Sequence, residues 1–102
     1  MKERQIMVVI KEPGKPAAVD PLFDNTLEAL QDAVGGYIET FTLPSGIVLI
    51  CNEEGKLHRL PYNVRVCGCD FVGVVIVCRA SGDEFGSLKA QDIPKLLDIL
   101  GR

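Results

Sequence analysis

Two short apolar runs limit what this chain can fold into. Residues 71–78, FVGVVIVC, and residues 47–51, IVLIC, are apolar and show no alternation with polar residues. Runs of this length and character are typical of β-strands that are buried on both faces. We therefore expect two central strands in a sheet, and both faces of that sheet need a cover.

The segments before these runs predict two hairpins. Residues 5–10 form a short apolar strand pattern, and residues 17–22 return after a turn that is rich in proline, glycine and charge. The prolines at the start and end of the return segment confine it to a sheet edge. Residues 37–43 alternate between polar and apolar, and the turn Pro44-Ser45-Gly46 connects them to the central run 47–51.

A first helix is predicted between the two hairpins. Asn25 is expected to be its N-cap, with Glu28 completing a capping box, and the double glycine Gly35-Gly36 ends it. Its apolar face consists of Leu27, Leu30 and Val34, with Ala33 beside them.

A last helix is expected to begin at a cap formed by Asp92. Pro94 falls in its first turn, where a missing N–H has no cost, and Gly101 ends it. Its apolar stripe consists of Ile93, Leu96, Leu97 and Leu100.

These elements predict a single α+β domain over residues 1–102. The expected order is β-β-α-β-β-loop-β-α, with a mainly antiparallel sheet of about five strands and two short helices. Residues 62–69 are expected to be a loop with some extended structure, and residues 80–87 a loop anchored by Phe85. Because two short helices cover only one face of a sheet, we hypothesise that a homodimer through the sheet covers the other.

Charge and hydropathy exclude several function classes. The formal net charge of −3 argues against a general nucleic-acid binder, which needs a clustered basic surface. No apolar run reaches the length of a bilayer span, so no membrane partner is expected. The leading residues MKERQ lack a signal-peptide pattern, and we expect a cytoplasmic protein.

The four cysteines are expected to be reduced thiols. Cys51 and Cys78 end apolar runs, where cysteine behaves as a small hydrophobic residue. Cys67 and Cys69 are closer together than zinc ligands usually are, and no second pair or nearby histidine completes a site. We therefore expect neither a metal nor another cofactor. A catalytic thiol is disfavoured too, because nothing places His58 beside a cysteine.

The polar stretch 52–63 is the candidate functional region. Its candidate binding residues are Asn52, Glu53, Glu54, Lys56, His58, Arg59, Tyr62 and Asn63. The carboxylates in the NEEGK segment are compatible with a cation or with acid–base chemistry. The simpler interpretation is a solvated hairpin turn with Gly55 at positive φ. The basic residues, with Arg65 nearby and Tyr62 for stacking, are compatible with a phosphate or nucleotide site; the simpler interpretation is charge balance at the surface. No catalytic residue is assigned.

Several of these segments together resemble a known family. The strings NTLEALQ, VGGYIE, ICNEEGKL and LPYN, with KEPGK before them and DEFGSL after them, resemble a family of small uncharacterised domains from bacteriophages and mobile elements of Firmicutes. The resemblance implies a small α+β domain of unknown function, and it assigns no catalytic residues. Cys67, Cys69 and Cys78 lie outside the shared pattern.

Two hypotheses about function remain open. The first is a non-enzymatic binding or regulatory module that acts on a host or phage protein. The second is a small phosphate- or nucleotide-binding domain, or an enzyme, that uses Lys56, His58, Arg59 and a carboxylate such as Glu53. A pocket lined by these residues together favours the second hypothesis, and a broad apolar or acidic surface favours the first.

Overall fold

Eight β-strands and two α-helices make up the part of the chain that this computed structural model describes, residues 3–101. Met1, Lys2 and Arg102 lie outside the described residues. The first two belong to the leading segment MKERQ, from which a cytoplasmic location is expected. The elements are β1 Gln5–Lys11, β2 Ala18–Asp24, α1 Leu27–Val34, β3 Ile38–Thr42, β4 Ile47–Asn52, β5 Tyr62–Val66, β6 Cys69–Val72, β7 Val75–Ser81, β8 Glu84–Gly86 and α2 Asp92–Leu100. The predicted α+β class with a mainly antiparallel sheet is confirmed, although the number of strands is larger than expected.

The main sheet has the order β2-β1-β7-β4-β3, and β8 pairs with the far end of β7. All neighbouring strands are antiparallel. Every residue of β4 is buried, and so are the first four residues of β7. The prediction that residues 47–51 form a central strand is therefore confirmed, and β7 is the second central strand.

The two faces of this sheet are covered by different elements. Helix α1 packs on one face, where the buried cluster consists of Ile6, Val8, Leu30, Val34, Val48, Ile50, Ile76 and Cys78. Helix α2 and the β5–β6 hairpin pack on the other, where the buried cluster consists of Val9, Ile47, Leu49, Cys51, Val66, Phe71, Val75, Val77, Leu88, Leu96 and Leu100. One chain thus covers both faces of its central strands. Within residues 3–101 the chain itself thus supplies the cover that motivated the homodimer hypothesis, and the homodimer remains a hypothesis without that support.

The apolar run 71–78 is not one strand. It divides at Gly73 into β6, which belongs to a separate two-stranded sheet with β5, and β7 in the main sheet. Gly73 has a φ of 70°, and a Cβ there would lie 2.8 Å from Leu60 Cδ1. A residue with a side chain is strained in this conformation and lacks the space, so the break depends on glycine.

The loop predicted for residues 62–69 is a hairpin. Strands β5 and β6 meet at Cys67 and Gly68, whose φ angles of 49° and 78° are those of a type I′ turn. Residues 84–86, predicted as loop, likewise form the short strand β8, and Phe85 is half-buried against the α1 side of the core, as expected for an anchor.

Both predicted helix caps need correction. Thr26, not Asn25, is the N-cap of α1, because its hydroxyl accepts a hydrogen bond from Ala29 N. Asn25 is buried, and its Nδ2 donates to the carbonyl oxygens of Glu3 and Phe85, so the predicted capping box is absent. The first residue of the predicted apolar face, Leu27, is 55% exposed.

Asp92 lies inside the first turn of α2 rather than at its cap, which is Gln91. Its carboxylate accepts two hydrogen bonds from Arg79, at 2.7 and 2.8 Å, and one from Lys89 N at 2.8 Å. Arg79 also donates to the Ser45 carbonyl oxygen, so this buried carboxylate ties α2 to β7 and to the β3–β4 turn.

Candidate functional site

The loop after β4 is a single helical turn, not a hairpin turn. His58 N donates to Glu54 O at 2.9 Å, and the turn ends with bonds from Arg59 N to Lys56 O and from Leu60 N to Gly55 O. This pair of bonds is a Schellman motif, and Arg59 occupies its left-handed position with a φ of 56°. The prediction that Gly55 has a positive φ is wrong. Gly55 is required for space instead, because a Cβ there would lie 2.9 Å from Val72 Cγ2.

Asn52 fixes this loop to the end of α1. Its Nδ2 donates to Val34 O at 3.1 Å, and its Oδ1 accepts from Glu54 N at 2.8 Å. Gly36 gives the side chain its space, since a Cβ there would lie 2.9 Å from Asn52 Nδ2. The polar character of Asn52 is therefore explained by the fold.

Asn63 likewise has a structural position. Its Nδ2 donates to Lys11 O and to Gly73 O, both at 2.7 Å, and so connects β5 to the end of β1 and to the break before β7. Its Oδ1 is buried and has no hydrogen-bond partner among the described residues.

A first cleft, the α1 cleft, lies between the C-terminal end of α1 and the helical turn. It has a volume of about 420 Å³ and is lined by Gln31, Asp32, Gly35, Gly36, Tyr37, Asn52, Glu54 and His58. His58 Nε2 lies 3.8 Å from Glu54 Oε1, and both side chains are about half exposed. The C-terminal end of α1, which is the negative end of the helix dipole, lies at this cleft. The carboxylates of Asp32 and Glu54 also line it, so the helix dipole and the side chains both make the cleft negative.

A second cleft, the β3 cleft, lies on the other side of the helical turn, between β3 and β6. It has a volume of about 360 Å³ and is lined by Glu39, Phe41, Cys51, Asn52, Glu53, Glu54, Gly55, Lys56, Leu57, Asp70, Phe71 and Val72. The Phe41 and Phe71 rings meet edge to face, with centroids 5.2 Å apart. Phe71 is buried, whereas Phe41 is 39% exposed and Leu57 is 73% exposed. The cleft thus presents apolar and aromatic surface to solvent.

Carboxylates predominate at the rim of the β3 cleft. Glu39, Glu53, Glu54 and Asp70 line it together with one cation, Lys56. Asp70 lies 3.6 Å from Arg65 in an exposed ion pair, which solvent screens. Neither Glu39 nor Glu53 has an ion-pair partner within residues 3–101, so the cleft carries net negative charge.

The thiol at the floor of this cleft is held in its protonated form at neutral pH. Burial, followed by the negative charge of Glu39, raises the pKa of Cys51 to about 11, while Lys56 acts in the opposite direction. Burial also raises the pKa of Cys78 to about 12. Cys67 and Cys69 are exposed at the β5–β6 turn. Within the described range, no group of three or more His, Cys, Asp or Glu side chains is arranged to hold a metal ion.

The candidate residues from the sequence do not converge on one site. Lys56 lines the β3 cleft and His58 lines the α1 cleft, while Glu54 borders both. Arg59 and Tyr62 line neither of these two clefts. Asn52 borders both clefts but serves the fold, and Asn63 lies elsewhere.

Sequence reasoning missed the side chains that reach the β3 cleft from other elements. Glu39 and Phe41 come from β3, and Asp70 and Phe71 come from β6. Alternation along residues 37–43 already placed Glu39 and Phe41 on one face, and a carboxylate next to an aromatic side chain on that face was the available signal. The contribution of β6 had no local signal, because it depends on the contact between β6 and the main sheet.

The two edges of the main sheet differ in how they are protected. The β2 edge carries Pro21, a break in register opposite β1, and a hydrogen bond that Leu22 N donates to Asp20 Oδ1. The β3 edge, with the sequence IETFT, has no proline, no lysine and an unbroken register with β4. Proline, bulges and charges are the usual means of protecting an edge strand. The β3 edge has only one of these features, the charge of Glu39, whose side chain lines the β3 cleft, and it is therefore the more open edge.

These features define a small α+β domain with an open sheet edge beside an apolar, acid-rimmed cleft. Neither helix within residues 3–101 has the length and apolar character to cross a membrane. Residues 4–101 match the family described as "Domain of unknown function (DUF3846)", and the chain belongs to that family. The expectation of an uncharacterised family is thereby confirmed. Searches of curated proteins and of solved structures found no match.

Proposed function

We propose that this chain is a non-enzymatic binding module that holds a partner protein at the β3 cleft. The observation that carries the proposal is the exposed aromatic and aliphatic surface at Phe41 and Leu57, set within a rim of carboxylates. A partly exposed aromatic side chain in an apolar cleft with a polar rim is the usual composition of a protein-binding surface.

The distribution of reactive groups supports binding over catalysis. Lys56 and His58, which the alternative nucleotide-binding or enzymatic hypothesis needs together, line different clefts. The thiol in the β3 cleft is protonated at neutral pH because its pKa is about 11. No specific observation favours the alternative.

The biological setting is part of the proposal. The resemblance of the NTLEALQ, VGGYIE, ICNEEGKL and LPYN segments to domains of phages and Firmicutes mobile elements supports a module that acts on a host or phage protein in the cytoplasm. Four cysteines without a disulfide within the described residues agree with a reducing compartment. The partner in this proposal is a different protein, although a second copy of the chain is the competing occupant.

Site-specific photo-crosslinking tests the proposal. A benzophenone amino acid replaces Phe41 in the cleft, and in a matched protein it replaces Leu22, which is 66% exposed on the opposite edge strand β2. Both proteins are expressed and irradiated in cells in which the gene naturally resides. We expect a discrete heterologous crosslink from position 41 and none of that size from position 22.

Charge reversal distinguishes a specific complex from adventitious capture. The variant Glu39→Lys with Glu53→Lys is expected to abolish the crosslink from position 41, because it reverses the charge of the rim. Asp83→Lys with Glu84→Lys, two exposed changes at the β7–β8 turn, makes the same change in net charge away from the cleft and is expected to leave the crosslink intact. Equal crosslinks from both positions, or a crosslink that survives the rim reversal, would contradict the proposal.

A further inference from the structure

The hydrogen-bond register of β3 determines which of its backbone groups face outward. Leu43 N donates to Ile47 O at 2.7 Å at one end of the β3–β4 ladder, and Glu53 N donates to Tyr37 O at 2.8 Å at the other. Between them the register is continuous, so odd-numbered residues of β3 exchange hydrogen bonds with β4. The ladder between β4 and β7 agrees with this register. Ala80 N donates to Gly46 O, so the backbone groups of even-numbered β4 residues point to β7 and those of odd-numbered residues point to β3.

Three residues of β3 consequently present unpaired backbone groups at the sheet edge. The N–H and C=O groups of Ile38, Thr40 and Thr42 point away from β4, and β3 is the last strand of the sheet within residues 3–101. Successive side chains of a strand point to opposite faces of the sheet, and those of Glu39 and Phe41 point to the face that carries the β3 cleft. Backbone groups and cleft therefore adjoin the same open edge.

We propose that a partner's extended segment pairs with this free edge of β3 as an added strand and places a basic and an apolar side chain, two residues apart, in the β3 cleft. This inference rests on the proposed binding function and adds the chemistry of the partner. Main-chain bonds to an open edge supply affinity in this mode of recognition, and pockets for alternate side chains supply specificity. The apolar side chain packs near Phe41, and the basic one lies near Glu39.

Charge decides between the two occupants that an open edge can take. A second copy paired edge to edge brings the same carboxylate-rich rim against itself, and each chain has a formal net charge of −3. A basic segment instead meets Glu39 and Glu53, which have no ion-pair partner among the described residues. Electrostatic complementarity therefore favours the basic partner over the homodimer.

Synthetic peptides test the inference directly on the wild-type protein. The probe is a fluorescent, end-capped eight-residue peptide in which threonine alternates with valine and lysine, so that valine and lysine share one face. Its matched control carries glutamate in place of lysine. By fluorescence polarisation we expect the acidic peptide to bind about tenfold more weakly or not at all, and we expect added salt to weaken binding of the basic peptide.

Backbone N-methylation then separates strand addition from simple charge attraction. One peptide is methylated at its threonine amides and another at its valine and lysine amides, with no change in charge. In an added strand only one alternate set of amides points at β3, so we expect one methylated peptide to lose binding and the other to retain it. The affected set identifies whether the strand runs antiparallel or parallel. Equal effects of both methylations would overturn the proposal.

A variant of the protein provides an independent control. Thr40→Pro removes an N–H that points away from β4, so it breaks no hydrogen bond between β3 and β4. Proline is tolerated on an edge strand. We expect it to weaken basic-peptide binding about tenfold, whereas Thr40→Val, which keeps the N–H, changes affinity less than about twofold. Circular dichroism verifies that both variants fold; if Thr40→Pro does not, the methylated peptides decide on the wild-type protein.

Two further outcomes would overturn the inference. Failure of the basic peptide to bind would reject the basic strand, and a crosslink from position 41 would then leave the broader binding function intact. A doubled mass in sedimentation that Thr40→Pro returns to the monomer value would assign the edge to a second copy of the chain.

Discussion

Gly36→Ala is expected to destabilise the protein by about 1–3 kcal/mol, the usual range for overpacking a well-packed site. The new Cβ would lie 2.9 Å from Asn52 Nδ2, well inside van der Waals contact. That amide is not free to move aside, because it donates to Val34 O at 3.1 Å while its Oδ1 accepts from Glu54 N at 2.8 Å. Either the clash remains or both hydrogen bonds of the Asn52 side chain are distorted.

A double-mutant cycle isolates this contact. Asn52→Ala alone leaves Val34 O and Glu54 N without their partners and is expected to destabilise by about 3 kcal/mol. It also removes the atoms that Gly36→Ala would meet. The double variant is therefore expected to be about as stable as Asn52→Ala, with a coupling energy of about 1–3 kcal/mol between the two positions.

Urea unfolding followed by far-UV circular dichroism measures these energies, since the chain has no tryptophan to report by fluorescence. The neighbouring Gly35→Ala is the control. Its strain comes from a φ of 79°, with no atom within 4 Å of the new Cβ, so its effect should add to that of Asn52→Ala. If Gly36→Ala and Asn52→Ala also add to within about 0.5 kcal/mol, the proposed contact is refuted.

Three further predictions concern other parts of the fold. Arg79 donates to Asp92 and lowers the pKa of that carboxyl from 3.8 to about 2. The ion pair therefore stabilises the fold above about pH 4, and this stabilisation is lost as the pH falls toward 2. Asp92→Asn is expected to lower the free energy of unfolding at pH 7 by about 2 kcal/mol and to flatten the acid dependence of the urea midpoint. Arg59→Gly is expected to stabilise by about 0.5–1 kcal/mol, because φ at this position is 56° and glycine removes the strain, whereas Arg59→Ala gives no such gain in urea midpoint. Asn63→Ala is expected to destabilise the protein by about 2 kcal/mol, because two carbonyl oxygens lose donors at 2.7 Å. Asn63→Asp should lower the thermal midpoint further, since it directs a carboxylate at the same two oxygens. Equal midpoints for the two variants would contradict this prediction.

Local signals in the sequence predicted the elements whose cause is local. The proline-flanked return strand at the sheet edge, the turn at Pro44-Ser45-Gly46 and the double-glycine helix end all depend on neighbouring residues, and all three are found. The errors lie where distant residues decide. Asn25 and Thr26 are both good N-cap residues, and Asn25 is drawn away from that role by the backbone oxygens of Glu3 and Phe85.

The break at Gly73 shows the same limit. A continuous apolar run gives no sign of a change of sheet, and the crowding of Leu60 against Gly73 appears only in three dimensions. The candidate site also depends on residues that are distant in the sequence. The charged loop was visible in the sequence, but its division between two clefts, and the arrival of Asp70 from β6, depend on how the β5–β6 hairpin packs on the sheet.

Backbone amide exchange in β3 tests the central claim, that this edge and its cleft are the binding surface, most directly. Residue-resolved NMR of the free protein should give slow exchange for Glu39 and Phe41, which bond to β4, and fast exchange for Thr40 and Thr42, which face the open edge. Addition of the basic peptide should slow Thr40 and Thr42 selectively, while the acidic peptide should not. Protection of Thr40 and Thr42 in the free monomer, or no change on addition of a peptide that binds, would contradict the claim.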